Sequence, residues 1–419
     1  MADRPLTPRP PWEGRRVVLG VTGGIAAYKA VQVARDLTRL GARVDTVLTE
    51  SVRAFVAPLS FEGVTGREAH TELLAGEGRA LHIGLGQEAD LILVAPATAD
   101  FVARAAQGRS DDLLGTTLLV TRAPVLLAPA MNDRMYGHTQ SQRNLEHCRD
   151  VLGYRLAGPG VGPLAAGEGA GPGRMLEPEA LVDHAGRILG ADSRLEDRRI
   201  LVTAGPTWEP LDPVRYLGNR SSGRMGFALA REAWLRGGDV VLVAGPSELP
   251  DPVGVRTVRI RTAREMFREV EAHIPEADVT IFAAAVSDFR PREVRSQKTK
   301  KGPGVSGPGP IELIENPDIA LETVGLKRDG AVVVGFALET EKLRERALEK
   351  LRDKDFDFIV ANDPGEEGAG FEVETNRVLI LDRQGEEERL PLLRKDIVAG
   401  AILDRAASRL SQVDVRSGS

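Results

Sequence analysis

Two stretches of this chain begin with the same succession of elements, and that succession restricts the possible folds most strongly. In the first, an apolar run at 17–21 is followed by two glycines and then by apolar residues at helical spacing over 26–40. In the second, an apolar run at 200–203 precedes a longer loop and helical spacing over 225–236. A short apolar run before a turn and a helix is typical of a strand buried in a parallel sheet. The pattern therefore predicts two α/β domains in one chain.

Further apolar runs of strand length follow in each half, with helical segments between them. They lie at 44–48, 91–95 and 125–128 in the first half, and at 240–243, 279–283, 332–336 and 358–360 in the second. Alternating strands and helices favour parallel sheets with right-handed crossovers. The predicted fold class is therefore α/β, with two domains that are each a mostly parallel sheet flanked by helices, a three-layer arrangement of flavodoxin or Rossmann type.

The boundary between the domains is predicted in the polar stretch 190–198, which has no apolar period. This gives a first domain at 15–195 and a second at 196–419. The proline-rich start, residues 1–14, is predicted to be a flexible arm, and residues 408–419 are predicted to be a second one.

The composition argues against several classes of protein. A net charge of -6 and an aromatic content of 4% disfavour nucleic acid and anionic membranes as partners. No apolar run reaches the length of a membrane span. The single cysteine, Cys148, cannot form an intramolecular disulfide, which favours the cytoplasm. We therefore expect a cytoplasmic protein that acts on small molecules.

Polar residues follow several predicted strands of the first half. Gly23 and Gly24 lie between a strand and a helix, where they form either a phosphate-binding turn or a simple tight turn. Thr98 in APATADF and Asn132 in APAMNDRMY each follow an apolar strand. Since ligands of open α/β sheets bind at the carboxyl ends of strands, these loops are expected to share a pocket. His82 precedes the next strand, and a lone histidine of this kind is more often packed or solvated than catalytic.

The second half contains a denser group of anion-binding candidates. LGNRSSGRMGF places an asparagine, two serines and two arginines directly before a helix, at 219–224. Hydroxyls, guanidinium groups and free N–H groups favour an anion there. The basic run KTKKG at 298–302 is either a solvated loop or a clamp for a triphosphate. ELIENPDI and GFALET adjoin apolar strands and are expected to line the same cleft.

Together these motifs resemble a known family. GVTGGIAAYK, APATADF, PAMNDRMY and GPGRM resemble the flavin-containing cysteine decarboxylases. AGPTWEPLDPVRYLGNRSSGRMG, AAAVSDF, KTKK, ENPDI and GFALET resemble phosphopantothenate–cysteine ligase. In this order and in one chain, they resemble the bacterial bifunctional enzymes of coenzyme A biosynthesis, over nearly the whole chain beyond the N-terminal arm.

The resemblance implies two reactions. The second domain would use CTP, with Mg2+, to activate the carboxylate of 4'-phosphopantothenate as an acyl-cytidylate, and the amine of cysteine would then displace CMP. The first domain would use FMN to oxidise the cysteinyl thiol to a thioaldehyde, which loses carbon dioxide, and the resulting ene-thiolate would be reduced to 4'-phosphopantetheine. Flavin domains of this family form trimers and ligase domains form dimers, which implies a homo-oligomer, a dodecamer.

The resemblance also implies roles for individual residues. His82 would act as a base or orient the substrate, Asn132 would hold the substrate carboxylate, and Asn219 would be needed to turn over the acyl-cytidylate. Lys298, the first lysine of KTKK, would also be catalytic. FMN would be bound by Gly23, Gly24, Ile25, Thr49, Thr98 and Met131. CTP would be bound by Ala283, Ala284, Asp288, Lys298, Asn316, Pro317, Asp318, Ile319, Phe336, Lys350 and Lys354. The two last lysines are four residues apart and would share one helix face. Metal ligands are not implied.

One loop departs from the family pattern. The family commonly reads LACG-xx-GxGR, with a catalytic cysteine that protonates the ene-thiolate, whereas this chain reads LAAGEGAGPGR. Ala166 stands at the cysteine position, and Cys148 lies outside the motif. Glu168, bound water or another side chain would have to supply the proton. The departure leaves open two alternatives, in which an active ligase is fused to a flavin-binding regulatory domain or to an oligomerisation scaffold.

Overall fold

The computed structural model describes residues 6–74, 80–164, 167, 169–192, 194–298, 310–339, 341–363, 365, 368, 370 and 373–417. The chain divides into two compact units, Met1–Gly190 and Ala191–Ser419. The division falls inside the polar stretch at 190–198. Each unit therefore contains one of the two successions of strand and helix that the sequence shows.

The elements of the first unit alternate along the chain. Its strands are β1 (Arg16–Val21), β2 (Arg43–Leu48), β3 (Ala69–His70), β4 (Leu91–Ala97), β5 (Val125–Pro129), β6 (Arg155–Leu156), β7 (Gly160–Pro163) and β8 (Ala170–Arg174). Its helices are α1 (Ala27–Arg39), α2 (Pro58–Thr65), α3 (Leu81–Glu88), α4 (Ala99–Ala106), α5 (Leu113–Val120), α6 (Asp133–Gly137), α7 (Thr139–Asp150) and α8 (Pro178–Leu189).

Among the described residues of the first unit, the main sheet is parallel and has the strand order β3-β2-β1-β4-β5-β6. Val17 of β1 pairs with Val44 of β2 and with Leu91 of β4, and all three side chains are buried. Burial on both faces of a parallel sheet explains why these strands are continuous apolar runs in the sequence. Gly41, with φ of +92°, follows the end of α1, as expected for a left-handed residue after a helix.

A hairpin stands outside this sheet. Strands β7 and β8 pair antiparallel, with Gly160 opposite Arg174, and we call this hairpin, residues 160–174, the flap. The flap contains the loop that departs from the family pattern. Ala166 and Glu168 lie outside the described residues, so the structure does not bear on the predicted proton donor at this loop.

The second unit repeats the alternation and then adds antiparallel strands. Its strands are β9 (Arg199–Ala204), β10 (Trp208–Pro210), β11 (Tyr216–Gly218), β12 (Asp239–Ala244), β13 (Arg256–Arg259), β14 (Val279–Phe282), β15 (Phe289–Pro291), β16 (Leu313–Glu315), β17 (Val332–Leu338), β18 (Phe358–Asn362), β19 (Thr375–Asp382) and β20 (Glu387–Arg394). Its helices are α9 (Arg224–Leu235), α10 (Ala263–His273), α11 (Ile319–Thr323), α12 (Leu343–Asp353) and α13 (Lys395–Ser417).

In the described part of the second unit, the main sheet has the order β13-β12-β9-β14-β17-β18-β19-β20. The pairings from β13 to β18 are parallel, and β19 and β20 continue the sheet antiparallel. Strands β10 and β11, and strands β15 and β16, form two small hairpins beside it. The predicted fold class, a mostly parallel sheet with helices in each half of the chain, is confirmed.

Both segments predicted as arms contain packed residues. Trp12 is completely buried, and its Nε1 donates to the carbonyl oxygen of Val182 at 3.3 Å. At the other end, the arm predicted from Ser408 is wrong as far as the helix is described, because α13 continues through it. Leu410 is 3% exposed and extends the buried stripe of that helix, so apolar packing holds these turns in place.

Candidate active sites

The second unit contains a cavity of about 630 Å3 at the carboxyl ends of its parallel strands. This is the edge at which open α/β sheets bind ligands. The predicted ligase residues that line it are Asn219, Ala283, Ala284, Asp288, Asn316, Pro317, Asp318, Ile319, Phe336, Lys350 and Lys354. The fold therefore brings together residues that the sequence spreads over more than a hundred positions.

Each of the two lysines on α12 is paired with a carboxylate. Lys350 Nζ lies 2.6 Å from Oε1 of Glu339, the glutamate of GFALET, and Lys354 Nζ lies 2.8 Å from Oδ2 of Asp318. Glu339 is 7% exposed and also contacts Arg346 at 3.2 Å. Burial alone would raise the pKa of Glu339, but the hydrogen bonds from Lys350 and Arg346 lower it overall. The two carboxylates therefore offset two of the three positive charges in this group.

Two asparagines hold the loop between β14 and β15. Asn219 Nδ2 donates to the carbonyl oxygens of Val286 at 2.9 Å and Ala285 at 3.3 Å. Asn316 Nδ2 donates to the carbonyl oxygen of Ser287 at 2.7 Å. The loop forms one wall of the cavity, so both carboxamides shape the site as well as face it.

The N-terminus of α9 also lines the cavity. The helix begins after Gly223, which has φ of +79° and provides no side-chain cap. The first N–H groups of such a helix attract anions. Ser221, Ser222 and Arg224 line the cavity beside them. The sequence predicts an anion site at this position, directly before the helix.

Lys395 was not identified from the sequence. It is the first residue of α13, is 6% exposed and lines the cavity. Its Nζ donates to the carbonyl oxygens of Gly370 at 2.8 Å and Val373 at 2.7 Å. Burial, helped by the nearby charge of Arg224, lowers the pKa of Lys395 to about 8. No local motif surrounds this lysine, because its neighbours in space are distant in the chain.

Lys298 is the predicted ligase residue that does not join the others. It is exposed and is not part of the cavity wall. The rest of the KTKKG run, residues 299–302, lies outside the described residues. The structure therefore leaves the predicted triphosphate clamp as a prediction.

In the first unit, the predicted flavin residues gather at the carboxyl ends of β1, β2 and β4. Thr98 N donates to Oγ1 of Thr22 at 3.1 Å, and Thr98 Oγ1 accepts from the N–H of Phe101 as the cap of α4. Thr49 is buried, with its Oγ1 3.2 Å from Oγ of Ser51. Ile25 is 67% exposed.

Gly23 is required by close packing in this turn. A Cβ at Gly23 would lie 2.3 Å from Oγ of Ser51, whereas one at Gly24 would lie 3.3 Å from Cγ2 of Thr98. Helix α1 starts just after the turn, and Ala26 at its N-cap offers no side-chain acceptor to the first N–H groups. A backbone cradle at an uncapped helix N-terminus fits a phosphate such as that of FMN.

Met131 and Asn132 lie where the flap meets the sheet. Met131 N donates to the carbonyl oxygen of Gly173 in the flap at 2.9 Å. Asn132 caps α6, with its Oδ1 accepting from the N–H of Arg134 at 2.9 Å. The flap thus covers the loop that the sequence assigns to the substrate carboxylate.

His82 is the second residue of α3, a helix that leads into β4 and therefore begins at the carboxyl edge of the sheet. The side chain is half-buried, and its Nδ1 is buried without a hydrogen-bond partner among the described residues. A buried polar atom without a partner is uncommon in a core histidine. Within the part of the chain that the structure describes, the Nδ1 atom of His82 is therefore not held by a hydrogen bond.

Cys148 cannot take the place of the missing loop cysteine. It is completely buried in the core, and Sγ lies 3.9 Å from the carbonyl oxygen of Val102. Burial raises the pKa of the Cys148 thiol to about 11. The thiol is therefore a packing group.

Neither a clustered metal site nor a membrane-spanning helix is found in the described residues. Within the described residues, histidine, cysteine, aspartate and glutamate side chains do not gather in groups of three that could hold a metal ion. In the same part of the chain, no helix combines the length and the apolar character needed to cross a membrane.

Comparisons with known proteins agree with the two-unit arrangement. The family model described as Flavoprotein matches residues 8–189, and the model described as DNA/pantothenate metabolism flavoprotein C-terminal domain matches residues 195–410. The chain is 43% identical over 392 residues to the coenzyme A biosynthesis bifunctional protein CoaBC of Vibrio cholerae, which covers 93% of this chain and 97% of that protein. This chain belongs to the bifunctional coenzyme A biosynthesis family. Membership of that family confirms the resemblance seen in the sequence.

Two solved structures resemble separate parts of this family member. The crystal structure of the C-terminal domain of a coenzyme A biosynthesis bifunctional protein CoaBC has a TM-score of 0.45 and 39% identity, covering 53% of this chain and 100% of that chain. The crystal structure of the FMN-dependent cysteine decarboxylase SpaF has a TM-score of 0.36 and 34% identity, covering 42% of this chain and 99% of that chain.

Family membership makes this chain a bifunctional enzyme of coenzyme A biosynthesis, with a flavoprotein unit followed by a second catalytic unit. The alternatives in which the first unit is only regulatory or only a scaffold are not favoured, since its relatives match over both units.

Proposed function

We propose that the second unit joins cysteine to 4'-phosphopantothenate at the expense of CTP, and that the first unit decarboxylates the product with FMN to give 4'-phosphopantetheine. The observation that carries the ligase assignment is one cavity lined both by two lysines that are each held by a carboxylate and by an uncapped helix N-terminus.

This charge pattern orients the nucleotide. The triphosphate lies at the N-terminus of α9, where the N–H groups and the hydroxyls of Ser221 and Ser222 meet its charge; Arg224 lies beside them and is paired with Glu374. Lys350 and Lys354 are already paired with carboxylates, so they suit the cytosine and ribose end better than the phosphates. Mg2+ would enter with the triphosphate. The carboxylate of Asp288, which lines the cavity, would be its ligand from the protein.

The ligase reaction has two steps. A carboxylate oxygen of 4'-phosphopantothenate attacks the α-phosphorus of CTP, and the bond to pyrophosphate breaks. The cysteine amine then attacks the acyl carbon, loses a proton, and the bond to CMP breaks. Asn219 positions the acyl-cytidylate, and Lys298, from the basic run at 298–302, balances triphosphate charge in the first step.

In the first unit, the chain's own residues bind and orient. The turn at Gly23 and Gly24 holds the FMN phosphate, the amide of Asn132 holds the substrate carboxylate, and the imidazole of His82 orients the thiol or takes its proton. The flap excludes water from the carbon that is protonated last. FMN, when bound, supplies the removal of a hydride from the substrate and its return after carbon dioxide has left.

We also propose that the enzyme is a cytoplasmic homo-oligomer, a dodecamer built from trimers of the first unit and dimers of the second. Ile25, Tyr28 and Leu59 of the first unit are 67%, 62% and 74% exposed, which supports an interface on that unit. Light scattering at micromolar concentration would test this, and a monomeric mass would refute it.

One reaction mixture tests the proposed function. Purified enzyme is mixed with 4'-phosphopantothenate, cysteine, CTP and Mg2+, and the products are identified by mass while carbon dioxide and flavin absorbance are measured. We expect CMP, pyrophosphate, carbon dioxide and 4'-phosphopantetheine. Ligated product without carbon dioxide would contradict the decarboxylase, and no CMP would contradict the ligase.

A further inference from the structure

A buried lysine, Lys29, links the motif GVTGGIAAYK to the motif GPGRM at the end of the flap. The resemblance implies no role for this lysine. Lys29 is the last residue of GVTGGIAAYK and lies in the first turn of α1, directly after the turn at Gly23 and Gly24. It is 7% exposed. A buried ammonium is costly unless it is paired and hydrogen-bonded, so its partners indicate why it is there.

The partners of Lys29 lie at the base of the flap. Its Nζ donates to Oε1 of Glu177 at 2.9 Å and contacts the carbonyl oxygen of Met175 at 3.5 Å. Nη2 of Arg174, the last residue of β8, donates to the same Oε1 of Glu177 at 2.5 Å. One carboxylate therefore ties helix α1 to the flap.

The same end of the flap is docked on the loop that carries Asn132. A Cβ at Gly173 would lie 2.3 Å from the carbonyl oxygen of Met131, and a Cβ at Gly171 would lie 3.0 Å from Cβ of Asp133. Gly173 also has φ of +138°, which disfavours any side chain. The base of the flap is thus held on one side by the substrate loop and on the other by α1.

The three charged groups differ in exposure. The side chain of Lys29 is 9% exposed, whereas those of Glu177 and Arg174 are 57% and 39% exposed. Partial burial would raise the pKa of Glu177, but the hydrogen bond and charge of Lys29 and the charge of Arg174 lower it overall. Glu177 is therefore ionised at neutral pH. An exposed pair is weak by itself, but Lys29 loses its charge partner if Glu177 is neutralised.

We propose that Lys29 is a positioning residue of the decarboxylase, which through Glu177 couples the cofactor-phosphate turn to the flap. Binding of FMN at Gly23 and Gly24 restricts the motion of the start of α1. The linkage Lys29–Glu177–Arg174 then restricts the motion of the flap beside Asn132. The coupling rests on the FMN-dependent function proposed above. Lys29 acts in this proposal through Glu177 and not on the substrate.

Hydrogen exchange measured by mass spectrometry tests the coupling. Peptides covering 158–176 are followed with and without FMN in the full-length protein, in Glu177→Gln and in Lys29→Met. FMN should slow exchange of these peptides about tenfold in the unaltered protein, the effect of one charge-assisted hydrogen bond. The slowing should be largely lost in both variants, and the double variant should resemble either single one, because all remove the same linkage.

A matched control and a second readout separate coupling from simple stability. Arg149→Met removes an exposed ion pair with Asp150 elsewhere in the first unit and should leave the slowing unchanged. Glu177→Gln should raise the KM for 4'-phosphopantothenoylcysteine more than it lowers kcat, since the chemistry is untouched.

The outcomes are distinguishable. Equal slowing by FMN in Glu177→Gln and in the unaltered protein would overturn the coupling, with flavin absorbance showing that the cofactor is bound in both. If Lys29→Met does not fold, Glu177→Gln decides the question, because its side chain is largely exposed. A protein that takes up no FMN at all would contradict the proposed function and the coupling together.

Discussion

Lys350 Nζ lies 2.6 Å from Oε1 of Glu339, so a lysine that the sequence assigns to the nucleotide is held by a buried carboxylate before any nucleotide binds. The pair joins helix α12 to the carboxyl end of β17. The pair fixes the position at which Lys350 can contact a ligand. Because Lys350 is already paired with Glu339, other groups must balance the negative charge of the triphosphate.

Neutralising Glu339 should therefore weaken CTP binding. In Glu339→Gln the side chain keeps its shape but loses charge, so Lys350 is released, and we expect the KM for CTP to rise about tenfold with kcat little changed. Arg346→Gln is the control, because it removes the second partner of Glu339 and leaves the Lys350 pair intact. Since the pKa of Glu339 is lowered, the pair persists at neutral pH and is lost only as pH falls through that lowered value. Equal KM values in the two variants would contradict this role.

Asn219→Asp should stop the ligase after activation. The amide N–H groups of Asn219 donate to two carbonyl oxygens, and a carboxylate there would repel both and place a negative charge near the phosphates. We expect CTP binding and pyrophosphate release to continue, with acyl-cytidylate accumulating in quenched samples analysed by mass. Normal formation of ligated product would remove Asn219 from the site.

Nucleotide affinity should decline as pH rises through about 8, where Lys395 loses its proton. The loss of one charge in a partly solvated site is worth about 1 kcal/mol, so we expect a several-fold change in the Kd of CTP. Lys395→Arg should remove the pH dependence, because arginine stays charged. Arg224 and Glu374 are the charged groups nearest to it, and both remain in that variant.

The sign of the accompanying stability effect follows from the lowered pKa. Between the folded-state pKa of Lys395 and the ordinary value of lysine, the unfolded chain binds more protons than the folded one. The free energy of unfolding should therefore rise with pH across that window, and it should do so less in Lys395→Met. A urea unfolding series at several pH values measures both proteins.

The contrast between Lys395 and Val279 shows what the sequence could predict here. Val279 lies in a continuous apolar run, and such runs predicted the parallel strands of both units because burial on two faces leaves a local pattern. Lys395 reaches the cavity because strands β19 and β20 each reverse the direction of the chain before α13 begins. Strand β20 is largely exposed and contains a proline, so it has no apolar run by which the sequence could predict it. Ser408 was assigned to an arm because the polar end of the chain hides the buried stripe of α13.

Gly23→Ala should abolish FMN binding in the first unit. The added methyl group would collide with both the side chain and the backbone of Ser51, so the turn must open. Gly63→Ala is the control, because a Cβ at Gly63, in α2 of the same unit, would meet no atom within 4 Å. The measurement is flavin absorbance per chain after purification, with ligase activity confirming that the second unit is folded. Full flavin content in Gly23→Ala would exclude the turn as the phosphate site.

The last prediction concerns the source of the proton in the decarboxylase. Ala166 stands where the family places a cysteine, and Cys148 is buried with its thiol pKa raised to about 11. Cys148→Ala should therefore leave decarboxylation unchanged. It is the control for Ala166→Cys, which restores an acid to the flap.

Ala166→Cys should act on the final reduction and on nothing before it. Oxidation and loss of carbon dioxide need the substrate carboxylate but no thiol in the flap, so the rate of carbon dioxide release in a single turnover should not change. Return of the hydride requires a proton delivered to carbon, and a positioned general acid contributes roughly 10²–10⁴-fold to such a step. We therefore expect flavin absorbance to recover faster in Ala166→Cys than in the unaltered protein under anaerobic single-turnover conditions. If it recovers no faster while the unaltered protein completes its turnover, Glu168, water or another group already supplies the proton, and Ala166 is no deficit.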